Sequence, residues 1–278
     1  MMCHASSRVR SNLIGIWCVV GLLCFVIACA TVPLTERQSL RLLPESELIA
    51  LSLQQYSKVL DESKLSRDPE KVQMVRRVGT RIARASEEFM RESGLGSQIS
   101  QYQWEFNVIE DDKVANAWAM PGGKIAVYTG ILPLTRDDTG LAVVLGHEVA
   151  HAIAGHGNER MSQGLLAQLG AIGLSAAVTT QPAATQQIFM TAYGLGAQIG
   201  VLLPYSRLHE SEADRIGLVL MAKAGYDPRE AVPFWERMAT KGGPRPPELL
   251  STHPAPESRI VKIKSLIPEA MKHYQPRQ

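Results

Sequence analysis

Beyond position 29 the chain contains no cysteine: its four thiols, Cys3, Cys18, Cys24 and Cys29, all lie in the N-terminal segment. A body so depleted has no disulfide framework, no cysteine nucleophile and no thiolate metal site. An excess of one charge is missing too. Net charge is +2, and setting aside Arg8 and Arg10 leaves 27 basic against 27 acidic side chains. No electrostatic footprint for nucleic acid follows from that balance. Charge is absent altogether between Arg160 and Arg207. That stretch is rich in Ala, Gly, Leu and Gln, and its interruptions leave no run of the roughly 20 apolar residues that cross a bilayer comfortably. It reads as two helices, about 164 to 178 and 188 to 203, forming a lid, a membrane-surface contact or a plain core hairpin. No 34-residue helical repeat is visible.

What is present fits a globular protein with one sizeable core: 278 residues, 45% hydrophobic and 20% charged. Residues 1–28 read as an export signal, with Arg8 and Arg10 as a positive n-region and Leu13 to Ala28 as an uncharged h-region. Val26-Ile27-Ala28-Cys29 resembles a bacterial lipobox, which makes Cys29 the expected lipidation site; an uncleaved signal anchor is the alternative. Ala30 after the cysteine points to outer-membrane sorting, with the body in the periplasm. Residues 29–44 are expected as a tether, 45–270 as the folded domain and 271–278 as a tail.

Apolar residues at helical spacing mark Glu45 to Leu60 and a second helix from Pro69, which Gly94 and Gly96 end. Tyr102, Trp104, Phe106 and Val108 alternate with polar residues as in a strand, and two more strands follow around Pro121-Gly122-Gly123. Asn116, Ala117, Trp118 and Ala119 form the candidate edge strand for pairing with an extended substrate, a simple hairpin being equally compatible.

The chemistry centres on His147-Glu148-Val149-Ala150-His151, inside the apolar run Leu141 to Ile153. On a helix, positions i and i+4 share a face, so both imidazoles can point at one metal ion while Glu148 reaches a water on it. Neutral imidazoles suit zinc, a catalytic site needs three protein ligands with an open fourth position, and a carboxylate manages the proton. Burying these groups without a metal would be costly. Thr135 with Asp138 is the expected capping box of this helix.

A third ligand is sought on another helix, Leu208 to Ala224, which Gly225 closes. Glu210 and Asp214 lie at i and i+4 on one face, while Glu212 points elsewhere. Glu210 can complete a His₂Glu set, and Asp214 can orient a ligand histidine or donate a proton. His156 does not extend the motif to the long His-Glu-x-x-His-x-x-Gly-x-x-His form, because Ala154 and Gly157 stand where glycine and histidine would be needed. It reads as a structural or helix-end residue.

Asn116-Ala117-Trp118-Ala119-x-Pro121-Gly122-Gly123, His147-Glu148-x-x-His151, Ser206-Arg207-x-x-Glu210-x-Glu212-Ala213-Asp214-x-x-Gly217, Ala224-Gly225-Tyr226-Asp227-Pro228 and Thr252-His253-Pro254 with Arg259 form an ordered series. It resembles the HtpX and CAAX-prenyl-endopeptidase family of gluzincin metallopeptidases, in its BepA-like or LoiP-like periplasmic branch. The chain lacks the helical repeats of BepA itself, so the smaller LoiP-like proteins are the better comparison. The resemblance implies an α+β, mainly helical core with a small sheet, and one Zn²⁺ per chain on His147, His151 and Glu210. It implies Glu148 as catalytic base, Asp214 as second acidic residue, and His253 as a regulatory histidine able to occupy the fourth position. Arg207 and Arg259 are the candidates to brace the ligands. The expected activity is endoproteolysis of misfolded or stalled envelope proteins by a lipid-anchored enzyme. The alternatives are a chaperone-like module held inactive on the same fold and a purely structural metal site.

Overall fold

The computed structural model describes residues 29–169, 206–240, 247–253 and 257–276. The expected signal segment therefore lies outside the described residues. So do the 188 to 203 helix and all of the 164 to 178 helix beyond position 169.

The fold is α+β and mainly helical. The chain opens on a small antiparallel hairpin, β1 (Cys29–Thr31) and β2 (Gln38–Leu40), with Cys29 opposite Leu40. The hairpin lies within residues 29–44, the span read as a tether. Val32 and Leu43 are buried, Ser39 is 1% exposed, and Arg37 forms ion pairs with two distant helices. The alternation of apolar and polar residues there is too short to register as a strand pattern, which is why it reads as linker.

Two helices follow, α1 (Glu45–Asp61) and α2 (Pro69–Glu92). Asp68 caps α2 by accepting from the amides of Glu70 and Lys71, and Pro69 at the first position sacrifices no hydrogen bond. Val75, Val78, Ile82 and Phe89 line the buried stripe of α2, with Arg76 and Arg84 on the outer face. Gly79 on that stripe faces the Phe106 ring so closely that a Cβ would sit 2.4 Å from it, which lets α2 lie flat on the sheet.

The sheet has three strands, β3 (Glu105–Ile109), β4 (Ala117–Met120) and β5 (Lys124–Tyr128), in the order β3-β5-β4. β3 runs parallel to β5, and β4 pairs antiparallel with β5 through the turn at Gly122 and Gly123. Both glycines sit at positive φ (80° and 81°), which glycine adopts without steric cost. The outer side of β3 is already occupied: Ser66 N donates to Val108 O at 2.8 Å, and Glu110 N donates to Lys64 O at 2.7 Å.

A short helix, α3 (Leu132–Thr135), leads into the central helix α4 (Asp138–Ile153). The cap of α4 is Asp137, whose carboxylate accepts from the amides of Thr139 and Gly140. Thr135 is not the cap; its hydroxyl donates to Leu132 O within the preceding turn. An aspartate one residue from the helix start outcompeted the Thr-x-x-Asp pattern because it reaches two orphan amides at once.

α4 is buried on nearly every side, packed between β4, α2 and α6. Its partner α6 (Arg207–Lys223) starts at Ser206, whose hydroxyl accepts from His209 N, and Gly225 at φ 83° ends the segment as expected. The two helices cross at Gly146 and Gly217. A Cβ on Gly146 would lie 2.9 Å from Gly217 O, so the backbones meet with no side chain between them. α5 (His156–Leu169), α7 (Ala231–Thr240), α8 (Glu248–Thr252) and α9 (Glu257–Ala270) complete the shell.

Candidate metal centre

His147 and His151 on α4, Glu210 on α6 and His253 at the end of α8 converge, their ligand atoms all within 4.8 Å of one another. Individual approaches are short: His147 Nε2 to His151 Nε2 is 3.1 Å, His253 Nδ1 to Glu210 Oε1 is 2.8 Å, and His151 Nε2 to Glu210 Oε1 is 3.4 Å. All four side chains are buried. Glu148 lies beside them, with Oε1 buried without a hydrogen-bond partner and 3.4 Å from His253 Nε2. The glycine crossing is what permits this, since it draws the ligand-bearing turns of α4 and α6 to backbone contact.

Asp214, one turn after Glu210, lies with Oδ1 3.1 Å from His147 Nδ1. A carboxylate there accepts the Nδ1 proton and leaves the Nε2 lone pair facing the cluster. Arg259 of α9 holds both acids: it meets Asp214 through Nε and Nη2 at 2.9 and 2.8 Å, and Glu210 Oε2 through Nη1 at 2.7 Å. Its guanidinium lies 3.9 Å over the Trp235 ring. Arg259 thus contacts both Asp214 and the candidate ligand Glu210. Arg207 does not; it is exposed in the first turn of α6 and among the described residues forms no hydrogen bond or ion pair with the cluster.

The electrostatics fit a divalent cation. Within the pocket the buried carboxylates Glu210 and Asp214 are offset by Arg259 and by a protonated His147, whose extra proton a divalent cation would displace. Burial drives the Glu148 carboxyl upward from its ordinary value. Burial also opposes protonation of His147, but hydrogen bonding to Asp214 and Glu210 outweighs it and holds that imidazole at about 9. The cluster calls for positive charge, and a set of imidazole nitrogens with one carboxylate is a donor set of the zinc type.

A second layer escaped sequence reasoning. His156 Nδ1 is 2.9 Å from His151 Nδ1, and His156 Nε2 is 3.0 Å from Glu212 Oε2. Arg37 of the hairpin then joins Glu212 to Glu159, each at 2.7 to 2.9 Å, and His209 approaches Glu159 at 3.2 Å while stacking on His156. His156 stands at a helix end, the start of α5, but its ring reaches a member of the metal cluster, His151. Glu212 does point away from Glu210, and the direction it takes is toward His156. No local spacing encodes this, because Arg37 and Glu212 are 175 positions apart.

These ion pairs predict acid lability. Burial would raise the Glu212 and Glu159 carboxyls, but His156, Arg37 and Thr35 act on the first, and His209 and Arg37 on the second, so both sit at about 2. A depressed folded pKa adds stability that is complete above the ordinary carboxylate value and is lost as pH falls from about 4.5 toward 2. The expected loss is up to about 3 kcal/mol per carboxylate by linkage. Urea midpoints at pH 7, 4.5 and 3 check this; wild type should decline more steeply than Glu212→Gln across the acid interval.

The α+β core, the buried cluster of His147, His151, Glu210 and His253, and the Glu148 carboxylate beside it form the arrangement of the zinc-dependent His-Glu-x-x-His metallopeptidase class. The chain belongs to peptidase family M48, whose model matches residues 77–267. It is 40% identical over 176 residues to the mitochondrial metalloendopeptidase OMA1 of Schizosaccharomyces pombe, a match covering 63% of this chain and 50% of that protein. The human mitochondrial metalloendopeptidase OMA1 is 33% identical over 251 residues, 86% of this chain and 46% of that protein. The β-barrel assembly-enhancing protease of Escherichia coli is 29% identical over 168 residues, 58% of this chain and 34% of that protein. The chain spans about half the length of the OMA1 proteins it matches.

These similarities correct the expected location. A periplasmic lipoprotein tethered to the outer membrane through Cys29 is overturned by relatives at 33 to 40% identity that are mitochondrial enzymes. The bacterial β-barrel assembly-enhancing proteases are the more distant likeness, at 29 to 30%. The lipobox-like tetrapeptide misled because a short apolar run ending in small residues and cysteine carries few constraints.

Proposed function

We propose that the protein is a zinc-dependent endopeptidase that cuts unfolded or misassembled protein chains, with His147, His151 and Glu210 as ligands. One observation supports this above others: the ligand atoms of two separate helices and the Glu148 carboxylate meet in a single buried pocket. Zinc held there would supply Lewis acidity, polarising the scissile carbonyl and bringing the pKa of a water toward about 7. Glu148 is placed to accept a proton from an attacking water and return it to the leaving amine, a role served by a carboxyl whose affinity for protons burial has raised. Asp214 keeps His147 in the tautomer that presents Nε2, and Arg259 holds Asp214 and Glu210 in register. β4, the outer strand beside α4, offers backbone groups to an extended substrate along Asn116, Ala117, Trp118 and Ala119.

His253 fills the fourth corner in this conformation, so we read it as a closed state that opens when α8 withdraws the histidine. Casein cleavage by the purified protein tests the scheme. Chelation should abolish turnover, added Zn²⁺ should restore it, and His253→Ala should raise the restored rate several-fold. One zinc per chain with no turnover in either protein would instead favour the chaperone-like alternative.

A further inference from the structure

We propose that the N-terminal hairpin is a working part of the metal centre, with Arg37 acting through Glu212 and His156 to set the tautomer and orientation of His151. The inference rests on the zinc assignment above and extends it to residues outside the ligand set.

The argument follows hydrogens along the chain of contacts. Glu212 is an ionised carboxylate, because Arg37 Nε and Nη2 meet its two oxygens at 2.8 and 2.9 Å and the Thr35 hydroxyl donates to Oε1 at 2.8 Å. A carboxylate can only accept, so His156 must donate from Nε2 across the 3.0 Å contact. A neutral imidazole that donates from Nε2 has only a lone pair on Nδ1. The 2.9 Å contact between His156 Nδ1 and His151 Nδ1 then requires His151 to donate. His151 therefore carries its hydrogen on Nδ1 and offers a lone pair from Nε2, the atom that lies 3.1 Å from His147 Nε2 within the cluster.

The same outcome is reached on the other ligand by a shorter route, Asp214 to His147 Nδ1. The two imidazoles are thus oriented by two independent carboxylates on one helix, Asp214 directly and Glu212 through an interposed histidine. The longer route passes through buried groups, His156 being 0% exposed and Glu212 3%. It also depends on a residue contributed from the chain's start. Arg37 has a structural task as well, since it bridges the charges of Glu212 and Glu159, bonding both at 2.7 to 2.9 Å. His156 and Arg37 are positioning residues: neither ring nor guanidinium belongs to the four-residue ligand cluster.

The test uses the full chain and metal affinity rather than turnover. Zn²⁺ titrated against a chelating dye should bind His156→Leu and Arg37→Ala 10- to 100-fold more weakly than wild type, the usual range when a ligand's hydrogen-bond partner is removed. Glu212→Ala should behave like them, whereas Glu212→Gln, which keeps an acceptor for His156, should recover most of the affinity. With Co²⁺ as the probe, the visible absorption of His156→Leu should shift because the His151 ring is no longer held. Wild-type affinity and an unchanged Co²⁺ spectrum in folded variants would overturn the proposal. Should the variants fail to fold, nitrogen-15 spectra of the wild-type imidazoles decide: hydrogen on His151 Nδ1 supports the relay, and hydrogen on Nε2 rejects it. Failure of wild type to bind Zn²⁺ would reject the metal assignment instead, and the tautomer measured without metal would still judge the relay.

Discussion

Glu148→Gln should retain one zinc per chain yet lose about a thousandfold in peptidase rate, within the 10²- to 10⁴-fold range attributed to a positioned acid–base group. The side chain lies outside the four-residue ligand cluster, so metal content is not expected to change. It is also a buried carboxyl whose Oε1 has no hydrogen-bond partner, so a neutral amide of the same shape removes an electrostatic penalty. The variant should therefore melt at the same temperature as wild type or higher. Activity assays, metal analysis and thermal denaturation on one preparation test all three statements. Retained turnover would remove Glu148 from the chemistry; lost zinc would make it a ligand.

Gly217→Val should fail differently, losing stability and metal together. A Cβ at Gly217 would lie 3.0 Å from Gly146 C, Gly146 O and His147 N, all backbone atoms that cannot turn aside. The branched side chain must force α4 and α6 apart, at a cost of about 3 kcal/mol or more, the upper part of the range for overpacked cores. The same displacement separates His147 and His151 from Glu210, because the crossing lies one residue before His147. Denaturant unfolding should show the destabilisation, and zinc affinity should fall by more than the roughly 10- to 100-fold expected from a single lost hydrogen bond to a ligand. Gly217→Ala is the milder arm, its steric cost partly offset by about 1 kcal/mol of helix propensity. Full zinc affinity in Gly217→Val would mean that the crossing does not govern ligand geometry.

The first layer of this centre was legible because helical periodicity is a local rule. The spacing of His147 and His151, and of Glu210 and Asp214, places each pair on one face whatever surrounds them, and Pro69 and Gly225 mark helix ends by their own backbone restrictions. Three-dimensional partnership is not local. That Glu212 would meet His156, or that Arg37 would leave an apparent tether to join two helices, depends on contacts between residues far apart in the chain. Asp137 shows the limit even at short range: Thr135 with Asp138 fits a capping box, yet Asp137, with extended backbone, took the capping position.

The sheet's asymmetry has a consequence for self-association. Its β3 rim is sealed by residues 64–66, and only the β4 rim remains beyond which no strand is paired among the described residues. An endless ribbon of subunits joined strand to strand requires two sticky rims on every member. With the β3 rim closed, edge-to-edge joining through this three-stranded sheet stops at a pair and does not propagate into fibres.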